Sequence, residues 1–363
     1  MRSAGPKPAV GRAQYTRGDP AADGVAHFRG RRMTNGRNDG RAVLVLGGAG
    51  YIGSHMVASL VDAGWAPVVL DNLATGHRDL LHPGVPFVEG DFGDRRTVAA
   101  LLKKHQVHAV MHFAASSLVG ESVQHPLMYY RNNVAKTVEL LDAMREAGVR
   151  NLIFSSTAAV YGHPESVPIT EAHPLRATSP YGSTKAVIER LLSEVETAHG
   201  LRYMSLRYFN AAGAHPERPV GERHDPETHL IPSLMQVALG QRPAAQVFGL
   251  DWPTPDGSCV RDYVHVCDLA SAHLLALEAL QADAPSAIYN VGTGAGHSVL
   301  EVIESVRRVT GLPVPFVAAA RRPGDPAVLV ANADRIGREL GWRQELSDLD
   351  TIVETAWAWH RRG

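Results

Sequence analysis

Two residues four apart, Tyr181 and Lys185 in "SPYGSTKAVIERLL" (179–192), form the pair in this chain best suited to move a proton. On a helix that spacing makes them neighbours, which describes an ordinary pair on one face as readily as an acid–base couple. A free phenol titrates near 10, and each unit of lowering represents about 1.4 kcal/mol of extra stabilisation of the phenolate. An adjacent ammonium, helped by a further positive charge, can lower it by several units and make Tyr181 a base usable near neutral pH. Thr157 ends "LIFSST" and offers a hydroxyl at the carboxyl end of an apolar run, where its plain alternative is hydrogen bonding of the strand end. Together the three side chains make a site able to oxidise a hydroxyl.

Such a site needs a hydride acceptor, and "GGAGYIGSH" (47–55) is a place to hold one. Gly47, Gly50 and Gly53 bracket Tyr51 and Ile52 between an apolar run and a helical stretch. Glycines there permit a tight turn and close approach of the backbone to a pyrophosphate, which the N–H groups of the helix start then face. The next apolar run ends in Asp71 and Asn72, about 20 residues on. An acidic side chain at that point accepts hydrogen bonds from ribose hydroxyls and repels a 2′-phosphate, favouring NAD over NADP. The nicotinamide ring then supplies the further positive charge beside Tyr181. Asp91, followed by Phe92 in "EGDF", ends another run and can reach the adenine, or can simply be a solvated strand end.

The elements that must position these residues follow from periodicity. Apolar runs at 42–48, 66–72, 85–91, 108–114 and 151–157 alternate with helical segments, the first at 53–64. Continuous apolar strands alternating with helices imply a parallel sheet covered on both faces. The predicted fold class is α/β, a doubly wound parallel sheet of Rossmann type with a smaller C-terminal substrate-binding lobe. Residues 1–40 are expected to be a disordered extension, 41–210 the dinucleotide-binding domain, and 211–363 mainly the substrate lobe, with some segments returning to the first domain. Regularity loosens after Arg207, where Pro and Gly are frequent from Ala211 to Gly257. Helices return near Asp268, Leu300 and Ala333.

Composition bounds the function. At 363 residues, 45% hydrophobic and 20% charged, the chain can bury a large core. A formal net charge of -1 gives no field to draw it to nucleic acid or an anionic membrane. No stretch is long enough to span a bilayer, and the segment before Arg41 lacks the apolar run of a signal peptide. That segment is rich in Gly, Pro, Ala and Arg, and Met33 is a possible start. Two cysteines, Cys259 and Cys267, suggest neither a disulfide framework nor a thiolate metal site, and a cytoplasmic location fits. His108 and His112 fall on one face of a predicted strand at a separation unsuited to joint ligation, so no metal is expected.

The order of motifs carries further information. "GGAGYIG", "LDN", "EGD", "HFAA", "VGES", "FSST", "VYG", "YGSTK", "RYFNAAGAHP", "VRDYVHV" and "RRPGD" follow one another from about Val43 to Trp359. In this the chain resembles the UDP-galactose 4-epimerases of the extended short-chain dehydrogenase/reductase superfamily. The resemblance implies that Tyr181 takes the proton of the sugar 4-hydroxyl while hydride passes to tightly held NAD. Thr157 would bind the reacting oxygen, and Lys185 would bind the nicotinamide ribose and tune Tyr181. By the same resemblance Phe113, Ala114, Ala115, Asn132, Ser155 and Phe209 join the cofactor contacts. Asn210, His229, Leu230, Phe248, Arg261, Arg322 and Asp325 would form the UDP pocket, where two arginines suit a diphosphate. Leu329 aligns with a gatekeeper beside the sugar, at which a bulky tyrosine excludes N-acetylated hexoses and a small residue admits them. Its alternative is a core residue facing away.

Three positions depart from the family pattern. Leu46 replaces a threonine before the first glycine, Ser117 stands where some members carry a lysine, and His229 falls where an asparagine is common. Related nucleotide-sugar dehydratases carry an Asp-Glu pair after the threonine and decarboxylases keep a glutamate nearby; Ala158 and Ala159 stand here instead. A dehydrogenase would release NADH at each turnover, and a non-catalytic dinucleotide sensor would be expected to lose Tyr181 or Lys185. The resemblance also implies a homodimer in which the helices following Pro126 and Tyr181 pair into a four-helix bundle. Both stretches carry apolar stripes at helical spacing.

Overall fold

The five apolar residues Ala42–Leu46 form the first strand, and all five are buried, as a strand covered on both faces must be. The structure is a computed structural model that describes residues 41–322 and 324–362; the expected extension, 1–40, lies outside them. After β1 (Ala42–Leu46) come α1 (Tyr51–Asp62), β2 (Ala66–Asp71), β3 (Phe87–Glu89), α2 (Arg95–Lys104), β4 (Ala109–His112), α3 (Val119–Gln124) and α4 (Pro126–Tyr129). A π-helical segment, Tyr130–Ala135, leads into α5 (Lys136–Ala147), and β5 (Asn151–Ser155), α6 (Pro180–His199) and β6 (Arg202–Tyr208) follow. The rest is β7 (Asn210–Ala212), α7 (Leu230–Ala238), β8 (Ala245–Phe248), β9 (Val260–His265), α8 (Val266–Gln281), β10 (Ala287–Val291), β11 (Gly296–Ser298), α9 (Val299–Thr310), β12 (Phe316–Ala319), β13 (Val328–Leu329), α10 (Asp334–Leu340) and α11 (Leu349–His360).

Seven strands pair in parallel in the order β10-β6-β5-β4-β1-β2-β3, the doubly wound arrangement expected. The order reverses between β1 and β4, and the crevice outside the carboxyl ends of strands at such a point is where ligands bind. Alternate residues of β1 serve two cores, as a period of two requires. Val43 and Val45 join Met56, Leu60 and the α8 leucines on one face. Leu44 and Leu46 join Val98, Leu140 and Leu192 on the other. A third core, built on Ile231, Leu234, Val302, Ile352 and Val353, supports β7, β9, β11 and β13 and the separate β8–β12 pair.

Helix α7 arises inside the stretch that looks irregular in sequence. It is only nine residues long, and Pro232 falls in its first turn, where the missing N–H costs no helical hydrogen bond. Helix α11 likewise has no counterpart in the sequence-based expectation; Asp348 caps it by accepting the N–H groups of Asp350 and Thr351. His112 is fully enclosed, with Nε2 3.2 Å from the Thr137 hydroxyl, so the His108–His112 spacing serves packing. Cys259 and Cys267 are both free. Among the described residues no helix is long and apolar enough to cross a membrane.

The helix that carries the tyrosine–lysine pair is fixed at both ends and along its inner face. Ser179 caps α6 by accepting from the Gly182 N–H at 3.2 Å, Pro180 opens it, and Gly200 closes it in the left-handed conformation at φ 68. Its buried face holds Tyr181, Thr184, Lys185, Ile188, Glu189 and Leu192, a helical spacing with two charges on it. Glu189 is paired with Arg207 of β6, where the guanidinium Nε is 2.9 Å from Oε1, and both side chains are almost completely buried. Tyr161 and Ser156 complete the network. Breaking a buried pair of this kind costs about 3–5 kcal/mol, so α6 is held rigidly against the sheet.

Candidate active site

Between β1 and α1 the backbone leaves no room for side chains. Gly47 has φ 80, and a Cβ there would lie 2.7 Å from the amide nitrogen of Ala114 at the end of β4. One on Gly53 would lie 2.1 Å from the Gly47 carbonyl oxygen. Gly50 begins α1 with no side-chain cap and no acidic residue in the first turn, so the N–H groups of the helix start remain available to an anion. A dinucleotide's pyrophosphate fits such a cradle.

Asp71 is nearly buried at the end of β2. One carboxylate oxygen accepts the Ala49 N–H at 2.9 Å and the other that of Leu73 at 2.8 Å. It thereby shapes the glycine loop as well as standing where ribose hydroxyls are expected. Asn72 accepts from the Ala74 N–H at 3.1 Å. Asp91 is drawn lower in pKa although burial opposes this, because Lys136 lies 2.5 Å away and the Gly93 N–H donates to it. Lys136 also donates to Asn132 at 2.9 Å, and Asn132 in turn reaches the Ser116 hydroxyl at 3.2 Å. Lys136 was not singled out in the sequence, although its spacing of four from Asn132 on a helix is a usable signal.

Three residues expected at the cofactor have packing or hydrogen-bond partners within the chain. The Phe92 side chain is core, 4.7 Å from the His112 ring, so any contact it makes with a cofactor falls to its backbone. Tyr51 turns its hydroxyl to the Gly213 carbonyl at 2.7 Å and joins the two parts of the chain, while Ile52 packs against the first core. Phe113 lies 5.0 Å from the His273 ring, with Ala114 and Ala115 following it past the glycine loop.

Tyr181, Thr157 and Lys185 come together at the carboxyl ends of β5 and β6. Tyr181, 7% exposed, is hydrogen-bonded to Thr157, and its ring meets Tyr129 edge-on at 6.4 Å. Lys185, 2% exposed, donates to the Ser155 carbonyl at 2.8 Å, with its ammonium 6.0 Å from the centre of the Tyr181 ring. The Ser155 hydroxyl is 2.6 Å from that of Tyr208. Tyr208 and Tyr129 are site neighbours that sequence reasoning missed; nothing in their local pattern sets them apart from core aromatics.

Lys185 by itself does not lower the phenol. Burial pushes the Tyr181 phenol well above 10, Tyr208 and Tyr129 add to this, and only the Thr157 hydrogen bond opposes them. Lys185 is itself lowered to about 7 by burial, against the pull of Glu189. The reason is desolvation: burial out of water disfavours both the phenolate and the ammonium.

The second group of residues converges around β9 and β13. The Arg322 guanidinium sits 3.8 Å over the centre of the Phe248 ring, and Arg261 lies 3.9 Å from the Asp325 carboxylate. Leu329 is the β-partner of Arg261 and packs on the cluster that includes Ala158, Tyr161 and Phe209. Asn210 opens β7, paired with Tyr263 of β9. Leu230 begins α7, and its N-cap residue His229 turns its Nδ1 onto the Glu222 carboxylate.

The arrangement also has relatives. The model of the NAD dependent epimerase/dehydratase family matches residues 43–292. A UDP-glucose 4-epimerase from Halalkalibacterium halodurans is 51% identical over 320 residues, which cover 88% of this chain and 96% of that one. The crystal structure of UDP-glucose 4-epimerase from Brucella ovis in complex with NAD is 48% identical, with a TM-score of 0.85 over 88% of this chain and 98% of that one. That of the Bifidobacterium longum enzyme in complex with NAD+ and UDP is 37% identical, with a TM-score of 0.84 over the same shares.

Proposed function

The chain belongs to the NAD dependent epimerase/dehydratase family, and from that premise we infer its reaction: it is a UDP-glucose 4-epimerase, interconverting UDP-galactose and UDP-glucose through a transient 4-keto sugar. The observation that carries this is Tyr181, hydrogen-bonded to Thr157 and one helical turn from Lys185, at the strand ends beside the glycine cradle. NAD, held by the glycine cradle and Asp71, would supply a reversible hydride acceptor for the sugar C4.

The chain's own residues do the rest. Tyr181 removes the proton from the 4-hydroxyl and returns it after the keto sugar has turned, and Thr157 orients the reacting oxygen. Lys185 contributes its ammonium to the nicotinamide ribose side and favours the phenolate when charged. Gly47, Gly50 and Gly53 with the start of α1 hold the pyrophosphate, and Asp71 holds the ribose hydroxyls. Arg261 and Arg322 hold the UDP diphosphate, with Phe248 beneath Arg322 and Asn210 and Leu230 at the edge of the pocket.

Incubation of pure protein with UDP-galactose is expected to give UDP-glucose with no net NADH, because hydride returns to the carbon it left. Stoichiometric NADH would assign a dehydrogenase instead. The same assay with UDP-N-acetylgalactosamine tests Leu329, which is shorter than tyrosine, bulkier than cysteine and without a hydroxyl. Efficient use of UDP-galactose and weak use of the N-acetylated sugar are expected, with a gain in the latter for Leu329→Ser. If neither Leu329→Ser nor Leu329→Tyr alters the ratio, Leu329 is not the gatekeeper.

A homodimer and a cytoplasmic location complete the proposal. The exposed faces of α3 to α6 carry Val119, Val123, Leu127, Met128, Tyr130, Val138 and Val187, with Val123 61% and Leu127 67% exposed. Large apolar side chains exposed together on neighbouring elements suit an interaction site. Light scattering at micromolar concentration should give the dimer mass, and Leu127→Glu should shift it toward monomer. A monomeric parent protein rules the interface out. Two cysteines left unpaired are in keeping with that location.

A further inference from the structure

The loop between β7 and α7 holds a cluster of two carboxylates and two imidazoles. Within eight residues it carries Glu222, His224, Glu227 and His229, and one donor atom from each lies within 4.8 Å of the others. Both glutamates are buried. The His224 Nδ1 is shielded from solvent without a hydrogen-bond partner, although it stands 3.4 Å from a Glu222 oxygen and 3.6 Å from Glu227 Oε2. Those two separations are poor hydrogen bonds but suit two edges of a coordination tetrahedron, whereas the His229 Nδ1 and Glu222 oxygen, in direct contact, have to part to admit an ion. Ligands held at about 2.0–2.2 Å from a tetrahedral zinc ion stand about 3.3–3.6 Å from one another.

The surroundings orient the donors. Glu227 Oε1 is taken up by the N–H groups of Thr228 and His229 at 2.8 and 2.9 Å, which leaves Oε2 turned toward His224. The Glu222 carbonyl accepts the Trp359 indole N–H at 2.8 Å, and the His229 ring already reaches the Glu222 carboxylate. Outer partners of this kind fix ligating side chains. Charge balance agrees: two carboxylates buried together are costly unless neutralised, and one divalent ion with two neutral imidazoles leaves the site uncharged. Two imidazoles and two carboxylates, with no thiolate, are donors that suit zinc.

We propose that Glu222, His224, Glu227 and His229 bind a single divalent transition-metal ion, zinc by their donor set, in a closed structural site. It pins the loop that meets the cofactor side of the molecule, through Gly213 on the Tyr51 hydroxyl and the Arg223 carbonyl 3.1 Å from the His77 ring, to the start of α7. This assignment does not rest on the epimerase activity, and its test does not read it.

Untagged full-length protein, stripped with chelator and dialysed, is titrated with Zn2+ by calorimetry and by melting temperature, and separately with Co2+ while the visible spectrum is recorded. One Zn2+ per chain is expected, a rise in Tm of about 5 °C at roughly 100 times Kd, and the intense visible bands of tetrahedral Co2+. His224→Ala and Glu227→Gln are each expected to weaken Zn2+ binding at least about tenfold and to abolish the Co2+ bands. Wild-type protein that shows neither Zn2+ binding nor Co2+ bands overturns the site and leaves two histidine–glutamate ion pairs. Binding that survives both substitutions overturns it equally, by placing the metal elsewhere. Should a variant not fold, the wild-type cobalt spectrum decides alone.

Discussion

Tyr181→Phe is expected to lower turnover of UDP-galactose by about two to four orders of magnitude, the range for losing a general acid–base group, while leaving NAD content unchanged. The substitution removes one oxygen and keeps the ring, which is 7% exposed and packed edge-on against Tyr129. The Thr157 hydroxyl loses a partner, a cost of about 1 kcal/mol in stability and so a small shift in Tm. Kinetics on purified variant with its bound NAD quantified decide the matter. Near-normal turnover removes Tyr181 from proton transfer, and loss of NAD together with activity would make its role one of binding.

Lys185→Met is expected to act in opposite directions on function and on stability. Turnover should fall by about a hundredfold or more, and NAD should be retained less well, because one ammonium is proposed to serve both. The cofactor-free chain, in contrast, should become more stable at neutral pH. Lysine in the unfolded chain titrates near 10.5, and burial lowers Lys185 to about 7 in the fold. As pH falls from 10.5 to 7 the unfolded chain takes up a proton that the folded chain does not, so Lys185 costs stability progressively across that window. Below 7 both states are protonated and the deficit stays constant, at roughly 2–5 kcal/mol. The variant should therefore out-melt the stripped wild type at pH 7 and converge with it toward pH 10. A variant that melts lower at every pH would show that the bond from Lys185 to the Ser155 carbonyl outweighs the buried charge.

What the sequence by itself determined lies in patterns that short stretches of backbone impose. A strand covered on both faces must be continuously apolar, and "AVLVL" is; a loop closing on a pyrophosphate must lack Cβ atoms at set intervals, and Gly47 and Gly53 stand where a Cβ would collide. Tyr181 and Lys185 are joined by one turn of helix whatever surrounds them. Their titration was decided by tertiary structure, because the sign of each shift depends on burial and on neighbours brought from other strands, such as Tyr208 beside the phenol. Lys136 meets Asp91 across 45 residues, and Arg207 meets Glu189 between a strand and a helix. The seventh strand, Ala287–Val291, returns to the first sheet beside β6. His229 meets Glu222, seven residues back, in a loop whose course no local period encodes. Periodicity reports which face of an element is buried; only the packed chain reports what is buried against it, and in a dry pocket that neighbour sets the charge.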